Sequence, residues 1–217
     1  MNNKTALIAG ATGLIGGYLL ELILKDDHYS KVIVITRNPA GNSHKKLSEI
    51  IVDFDQLDNY KDQMRADDIF CCLGTTTKKA GSDEIYRKVD HDYPLKLAQI
   101  TFENRAQQYL LVSSIGSNPN SKVFYTKLKG EVEEALKKIG FDSLKIFRPS
   151  QLLGKRKDFR LKEEISRILM TIFSFVIPLK YKAVHAEKVA KSMLIEAKKN
   201  EPGIKIITSE DIQQTKE

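Results

Sequence analysis

Tyr125 and Lys129 stand four residues apart in YTKLKGEVE, and Ser113 and Ser114 close the run QYLLV a short loop earlier. Four residues is about one helical turn, so the phenol and the ammonium share a helix face. A tyrosine with its ordinary pKa of about 10 exchanges protons poorly near neutrality. An adjacent ammonium favours the phenolate and makes the phenol a usable general acid or base. A serine hydroxyl fixed at the neighbouring strand end can hold a substrate oxygen while that proton moves. A Tyr with a Lys four positions on is also common on ordinary helix surfaces, so the reading depends on what precedes it.

What precedes it is KTALIAGATGLIGGYLLE from Lys4 to Glu21, an apolar run broken at glycine and followed by a new apolar pattern. With Ala6 to Ala9 as a buried parallel strand, Gly10 permits the tight exit, Gly13 lets a pyrophosphate approach the backbone, and Gly16 lets the next helix pack closely on the strand. Free amides at the helix start would face the anion, with Thr12 adding a hydroxyl. A bare strand-to-helix turn could use the same residues; the position, with a strand before and an amphipathic helix after, favours a nucleotide cofactor. The second strand ends in Thr36, Arg37, Asn38, Pro39, with no acid to accept bonds from ribose hydroxyls. A guanidinium suits a 2′-phosphate, so the expected cofactor is NADP(H), with Arg37 discriminating and Thr36 or Asn38 assisting; an ordinary exposed arginine is the plainer alternative. Asp53 either reaches the adenine edge or caps a turn.

The elements that must position these residues alternate from the start. Lys31 to Thr36 is a second strand, Val52 and its neighbours a third, Asp68 to Leu73 a fourth, Gln108 to Val112 a fifth and Ser143 to Phe147 a sixth. Helices are expected over Asp92 to Glu103, with Pro94 in its first turn, and over Phe124 to Ile139, closed by Gly140. This alternation predicts an α/β, Rossmann-type doubly wound parallel sheet with right-handed crossovers. Beyond Ser150 come a basic loop, an apolar helix near Leu161 to Phe175, a helix from Ala186 to Lys198 and a strand from Gly203 to Thr208. The expectation is a single domain over 1–217, with 151–217 forming the substrate side of the cleft.

Composition limits the alternatives. A chain of 217 residues can bury a core without metal or disulfide staples. Cys71 and Cys72 are adjacent in an apolar run, which fits buried strand residues in a reducing compartment. The chain shows no charged-then-apolar leader, and Ile165 to Leu179 is too short and too interrupted to span a bilayer, so a cytoplasmic location is expected. The net charge of +7 is spread, densest at Lys155, Arg156, Lys157, Arg160 and Lys162, without the interleaved aromatics that nucleic-acid stacking needs. Asp90, His91 and Asp92 read as polar residues at a helix start rather than a metal cluster, because adjacent helical positions diverge. His185 reads as a loop histidine, and the apolar face of Ile165 to Val176 as packing over the sheet, with membrane contact or a homodimer contact as alternatives.

GATGLIG, a serine-bearing fifth strand, and Tyr125 with Lys129 together resemble the short-chain dehydrogenase/reductase superfamily in its atypical branch. CLGTTTKKAG from Cys72, VDHDY from Val89, LVSSIGS from Leu111, YTKLKGEVE from Tyr125 and FRPSQLLG from Phe147 resemble, more closely, the oxidoreductase subgroup that includes the Tat-interactive protein. The resemblance spans nearly the whole chain. It implies that Thr12, Gly13, Leu14 and Ile15 wrap the pyrophosphate and that Arg37 meets the 2′-phosphate. It implies that Leu73 and Gly74 run along the cofactor ribose, that Lys129 also holds the nicotinamide ribose, that Leu152 lies near the nicotinamide and that Arg160 adds a cofactor contact. Two departures stand out: Ser150 replaces a frequent glycine, and the doublet leaves the substrate serine open, with Ser114 favoured over Ser113. The implied activity is hydride transfer between NADP(H) and a carbonyl or alcohol. A related nucleotide-sugar epimerase chemistry and a dinucleotide-sensing protein with little catalysis are the alternatives.

Overall fold

In the computed structural model, residues 4–39, 41, 43–154 and 178–215 are described. Seven strands form one parallel sheet in the order β3-β2-β1-β4-β5-β6-β9. They are β1 (Lys4–Ala9), β2 (Tyr29–Thr36), β3 (Leu47–Ile51), β4 (Asp68–Cys71), β5 (Gln108–Val112), β6 (Ser143–Arg148) and β9 (Gly203–Thr208). A two-stranded ladder joins β7 (Leu152–Leu153) to β8 (Val184–His185). The helices are α1 (Leu14–Lys25), α2 (Thr77–Ala80), α3 (Asp83–Arg87), α4 (Tyr93–Glu103), α5 (Phe124–Lys137), α6 (Ala186–Lys199) and α7 (Ser209–Gln214).

Both faces of the central strands are covered, which is why β1, β2 and β4 read as continuous apolar runs. On one face Ala6, Ile8, Val32, Val34 and Phe70 pack with Leu19, Leu20 and Ile23 of α1 and Val189, Met193 and Ala197 of α6. On the other, Leu7, Ile33, Ile69, Tyr109 and Ile146 pack with Leu97 of α4 and Val132 and Leu136 of α5. Each fully buried Leu, Ile or Val contributes about 1.5–3 kcal/mol. At the strands' N-terminal ends buried Asp68 accepts from Lys4 at 3.1 Å, the Tyr29 hydroxyl at 2.8 Å and Gln108 at 3.0 Å. Strand order reverses between β1 and β4, so the crevice of a doubly wound sheet opens at their C-terminal ends.

The expected strands and helices are found, with three shifts. The third strand pairs over Leu47–Ile51, and Val52 adds one further bond to the Thr36 carbonyl before the chain enters a 3-10 segment, Phe54–Gln63. The fourth strand ends at Cys71; the Cys72 amide still bonds the Ala9 carbonyl at 2.8 Å before the chain lifts over Gly10. The helix expected from Asp92 begins as α4 at Tyr93, after a single π-helical turn over Lys88–Asp92. The apolar helix expected near Leu161 to Phe175 lies outside the described residues.

Candidate functional site

The three glycines answer to distances. Gly10 adopts φ +88°, and a Cβ there would sit 2.6 Å from the Cys72 carbonyl oxygen. One at Gly16 would lie 2.7 Å from the Gly10 carbonyl carbon. Gly13, the N-cap of α1, donates its amide to the Gly10 carbonyl at 2.9 Å and brings no side-chain cap, and the first turn of α1 holds no acid. The opening amides, at Leu14 and Ile15, are therefore left without a side-chain acceptor at an electropositive helix end. Thr12 and Gly13 are exposed beside them. A cradle that a methyl group would fill, next to an uncapped helix start, fits a pyrophosphate.

Arg37 and Asn38 are exposed just past β2. The Thr36 hydroxyl is taken by the Asn38 carbonyl at 2.8 Å, which shapes this corner. Asp53, also exposed, accepts from the Asp55 amide at 3.0 Å and so caps a turn, as one of its two readings has it.

The exit of β4 connects the glycine turn to Lys129. Cys72 and Leu73 pass over Gly10, and just beyond them a Cβ at Gly74 would touch Asp90 at 3.6 Å. Asp90 accepts from the Thr75 amide at 2.8 Å with one oxygen and pairs with the Lys129 ammonium at 2.8 Å with the other. The two side chains are 2% and 4% exposed. Burial opposes the charge on Lys129, but Asp90 and Tyr125 outweigh it and hold its pKa above the usual lysine value. Lys145, 1% exposed, donates to the Glu196 carbonyl and has a Glu196 carboxylate oxygen at 4.0 Å; there burial, joined by Lys205 and Lys199, outweighs Glu196 and Glu201 and lowers the pKa.

Asp90 is thus no ordinary helix-start polar residue, contrary to the sequence reading. Asp90 and His91 are buried within the π turn, a kind of turn frequent at functional sites. A signal was present: Tyr86, Asp90, Pro94, Leu97 and Thr101 form one buried helical stripe, and a carboxylate on such a stripe needs a partner. His91 is hydrogen-bonded to Asp92 at 2.7 Å. Tyr125 is 38% exposed, its ring edge-on to Tyr86 at 6.1 Å between centroids. Tyr86 also meets Phe124 edge-on at 6.0 Å.

The serine doublet divides. The Ser113 hydroxyl bonds Glu133 and, at 3.0 Å, the Ser117 hydroxyl. Glu133, fully buried on α5 one turn past Lys129, also takes a two-pronged bond from Arg148 at the end of β6. Among the described residues the Ser114 hydroxyl makes a single long contact, 3.3 Å to the Ile115 carbonyl. The sequence reading does not include Glu133 or Arg148, although Glu133 shares the buried stripe of Leu128, Lys129, Val132 and Leu136.

Past β6, Ser150 is buried, donates to the Lys182 carbonyl and accepts from the Ser209 hydroxyl at 3.0 Å, so the serine that replaces a frequent glycine ties in the C-terminal segment. Leu152 packs against the layer that contains α1, and a Cβ at Gly154 would press on Leu14 at 2.9 Å. His185 is exposed at the start of α6. Arg160 and the Ile165 to Val176 face lie outside the described residues. Cys71 and Cys72 are free thiols. Among the described residues no helix is long and apolar enough to cross a membrane.

Comparison with known proteins agrees with this geometry. Residues 6–172 match the NAD dependent epimerase/dehydratase family. The chain is 39% identical over 171 residues to Protein HTATIP2 of Rattus norvegicus, across 77% of this chain and 70% of that protein. It is 35% identical over 154 residues to Protein FMP52, mitochondrial, of Eremothecium gossypii, across 70% and 68%. The UDP-N-acetylglucosamine 4-epimerase of Methanobrevibacter ruminantium M1, solved with UDP-N-acetylmuramic acid, superposes with a TM-score of 0.72 at 20% identity, covering 96% of this chain and 77% of that one. WbmH of Bordetella bronchiseptica, solved with NAD+, gives 0.73 at 16% identity, covering 94% and 75%. At such identities the two structures share the fold. The chain therefore belongs to the NAD dependent epimerase/dehydratase family and, within it, to the Tat-interactive-protein-like subgroup of atypical short-chain dehydrogenases/reductases.

Proposed function

We propose that this protein is an NADP-dependent oxidoreductase that interconverts a carbonyl compound and its alcohol. The observation that carries the reading is the buried Lys129, paired with Asp90 at 2.8 Å beside the loop leaving β4 and one helical turn from the half-exposed Tyr125. A bound NADPH would supply a hydride from the nicotinamide C4 to the carbonyl carbon, leaving NADP+. Tyr125 gives its hydroxyl proton to the carbonyl oxygen as that bond forms, and the Lys129 ammonium stabilises the phenolate left behind. Ser114, the hydroxyl with the weaker internal bond, holds the same oxygen, while Ser113 braces the strand end through Glu133. Thr12, Gly13, Leu14 and Ile15 would hold the pyrophosphate, Arg37 with Asn38 the 2′-phosphate, and Leu73, Gly74 and Lys129 the nicotinamide side. Leu152 belongs to the wall on the nicotinamide face, and the segment from 151 onward to the substrate side. The two free thiols suit a reducing cytoplasm, although the FMP52 relative is named as mitochondrial; cell fractionation distinguishes the compartments.

The test is to titrate NADPH and NADH into the purified protein, then screen aldehydes and ketones for loss of NADPH absorbance. Tyr125→Phe is expected to lower kcat by about 10²–10⁴-fold while NADPH affinity stays within about threefold. Failure of both nucleotides to bind at millimolar concentration would sink the reading, and undiminished turnover in Tyr125→Phe would remove Tyr125 from it.

A further inference from the structure

We propose that Asp90 is a positioning residue that keeps Lys129 protonated beside Tyr125 and ties that pair to the loop leaving β4. This rests on the reductase reading for its catalytic part. The carboxylate uses each oxygen once, for the Lys129 ammonium and for the Thr75 amide, both at 2.8 Å. One side chain therefore links the helix carrying the proton donor to the loop that follows Leu73 and Gly74. The Tyr86 hydroxyl, 3.4 Å from the Thr75 carbonyl, supports the same loop from the other side.

The surroundings leave this task to Asp90. On α5 itself Lys129 has Tyr125 one turn before and Glu133 one turn after, and Glu133 is engaged by Arg148 and Ser113. From β4 comes Cys71, whose thiol pKa burial pushes up. From the π turn, His91 is bonded to Asp92, and Asp92 faces Arg87 at 3.8 Å. From α3 comes Tyr86, where burial raises the phenol pKa. Among the described residues Asp90 is the carboxylate within ion-pair distance of Lys129. A buried ammonium without a close carboxylate loses its proton readily; at Lys145, whose carboxylate contact with Glu196 is 4.0 Å long, burial outweighs that carboxylate, aided by Lys205 and Lys199, and the pKa falls. A purely structural pair is the plainer reading, but buried ion pairs are poor stabilisers compared with apolar side chains of similar size.

Asp90→Asn keeps the shape and an acceptor for Thr75 and removes the charge. Two measurements are made on the full chain, alongside NADPH affinity. In the first, side-chain NMR of 15N-lysine-labelled protein follows the Lys129 ammonium, identified by its loss in Lys129→Arg, through a pH titration that needs no substrate. Its midpoint is expected to fall by at least about one pH unit in Asp90→Asn. In the second, the basic limb of the kcat profile for carbonyl reduction is expected to fall by a similar amount, with partial return in Asp90→Glu. NADPH affinity is expected to stay within about threefold, because the Thr75 acceptor remains. An unmoved Lys129 midpoint overturns the proposal whatever the substrate. A moved midpoint with a uniform drop in kcat and an unmoved limb overturns its catalytic part. A moved midpoint with no turnover in either protein upholds the charge-holding role and counts against the reductase reading alone.

Discussion

Gly16 and Gly17 are neighbours in the first turns of α1, and alanine should have opposite effects at the two. In a helix interior Gly→Ala gains up to about 1 kcal/mol from propensity alone. At Gly17 the new Cβ meets the Ala11 carbonyl oxygen at 3.6 Å, an ordinary contact, so the full gain is available. At Gly16 the Cβ would lie 2.7 Å from the Gly10 carbonyl carbon. Ordinary contact starts near 3.4 Å, so α1 must retreat by at least about 0.7 Å from a core it fills with Ile15, Leu19, Leu20 and Ile23. Overpacking of this kind costs about 1–3 kcal/mol, which exceeds the propensity gain through most of that range. Both gain the same propensity, so the two variants should differ by the overpacking alone, about 1–3 kcal/mol, or about 2–12 °C in Tm for a chain of this size, with Gly17→Ala above the parent and Gly16→Ala below it. The retreat also displaces the Gly10 carbonyl that receives the Gly13 amide, so Gly16→Ala should lose about tenfold or more in NADPH affinity, with Gly17→Ala unchanged. Calorimetry and fluorescence titration read both quantities. Equal melting temperatures, or a Gly16→Ala protein as stable as the parent, would refute the close approach of helix and turn.

Three further outcomes follow from the same geometry. Arg37→Ala should weaken NADPH binding by about 10–100-fold and leave NADH binding nearly unchanged, read by parallel titrations. Ser114→Ala should lower kcat with little change in stability, whereas Ser113→Ala, which strips a bond from buried Glu133, should destabilise by about 1–3 kcal/mol in urea. At Glu196 burial raises the carboxyl pKa, but bonds from Lys199 and Lys205 outweigh it and the net shift is downward. Its contribution to stability is thus full above the unfolded value of about 4.3 and is lost as pH falls through the lower folded value. Glu196→Gln should flatten that part of the acid limb of stability against pH; an unchanged limb would rule the pair out as a contributor.

The fold was readable because its determinants are local. Runs such as KVIVIT and GIKIIT carry their β-branched pattern in a few residues, and Gly13 and Gly16 are limited by contacts within one turn, although Gly10 also meets Cys72 at the end of another strand. Tyr125 and Lys129 were readable because helical spacing alone brings them together. The partners of Asp90 were not, since they are Thr75, 15 residues back, and Lys129 on another helix; the helical spacing of the buried stripe shows only that Asp90 faces inward. The roles of Ser113 and Ser114 were equally closed to sequence, because the distinction lies with Glu133 and Arg148 from two other elements. The third strand was placed late because LSEII is half-polar at the sheet edge, while Val52 beyond it is buried.

The π turn at Lys88–Asp92 also makes this site sensitive to chain length. Each residue of an α-helix advances the face by about 100°. Loss of one residue after Asp90 in this turn would rotate Asp90 by about 100° against α4, whose Leu97 and Ile100 sit in the core, and so would carry its carboxylate away from the ammonium on α5. A single-codon deletion there, with no substitution in the glycine turn or at Tyr125 and Lys129, would strip the buried ammonium of its counter-ion.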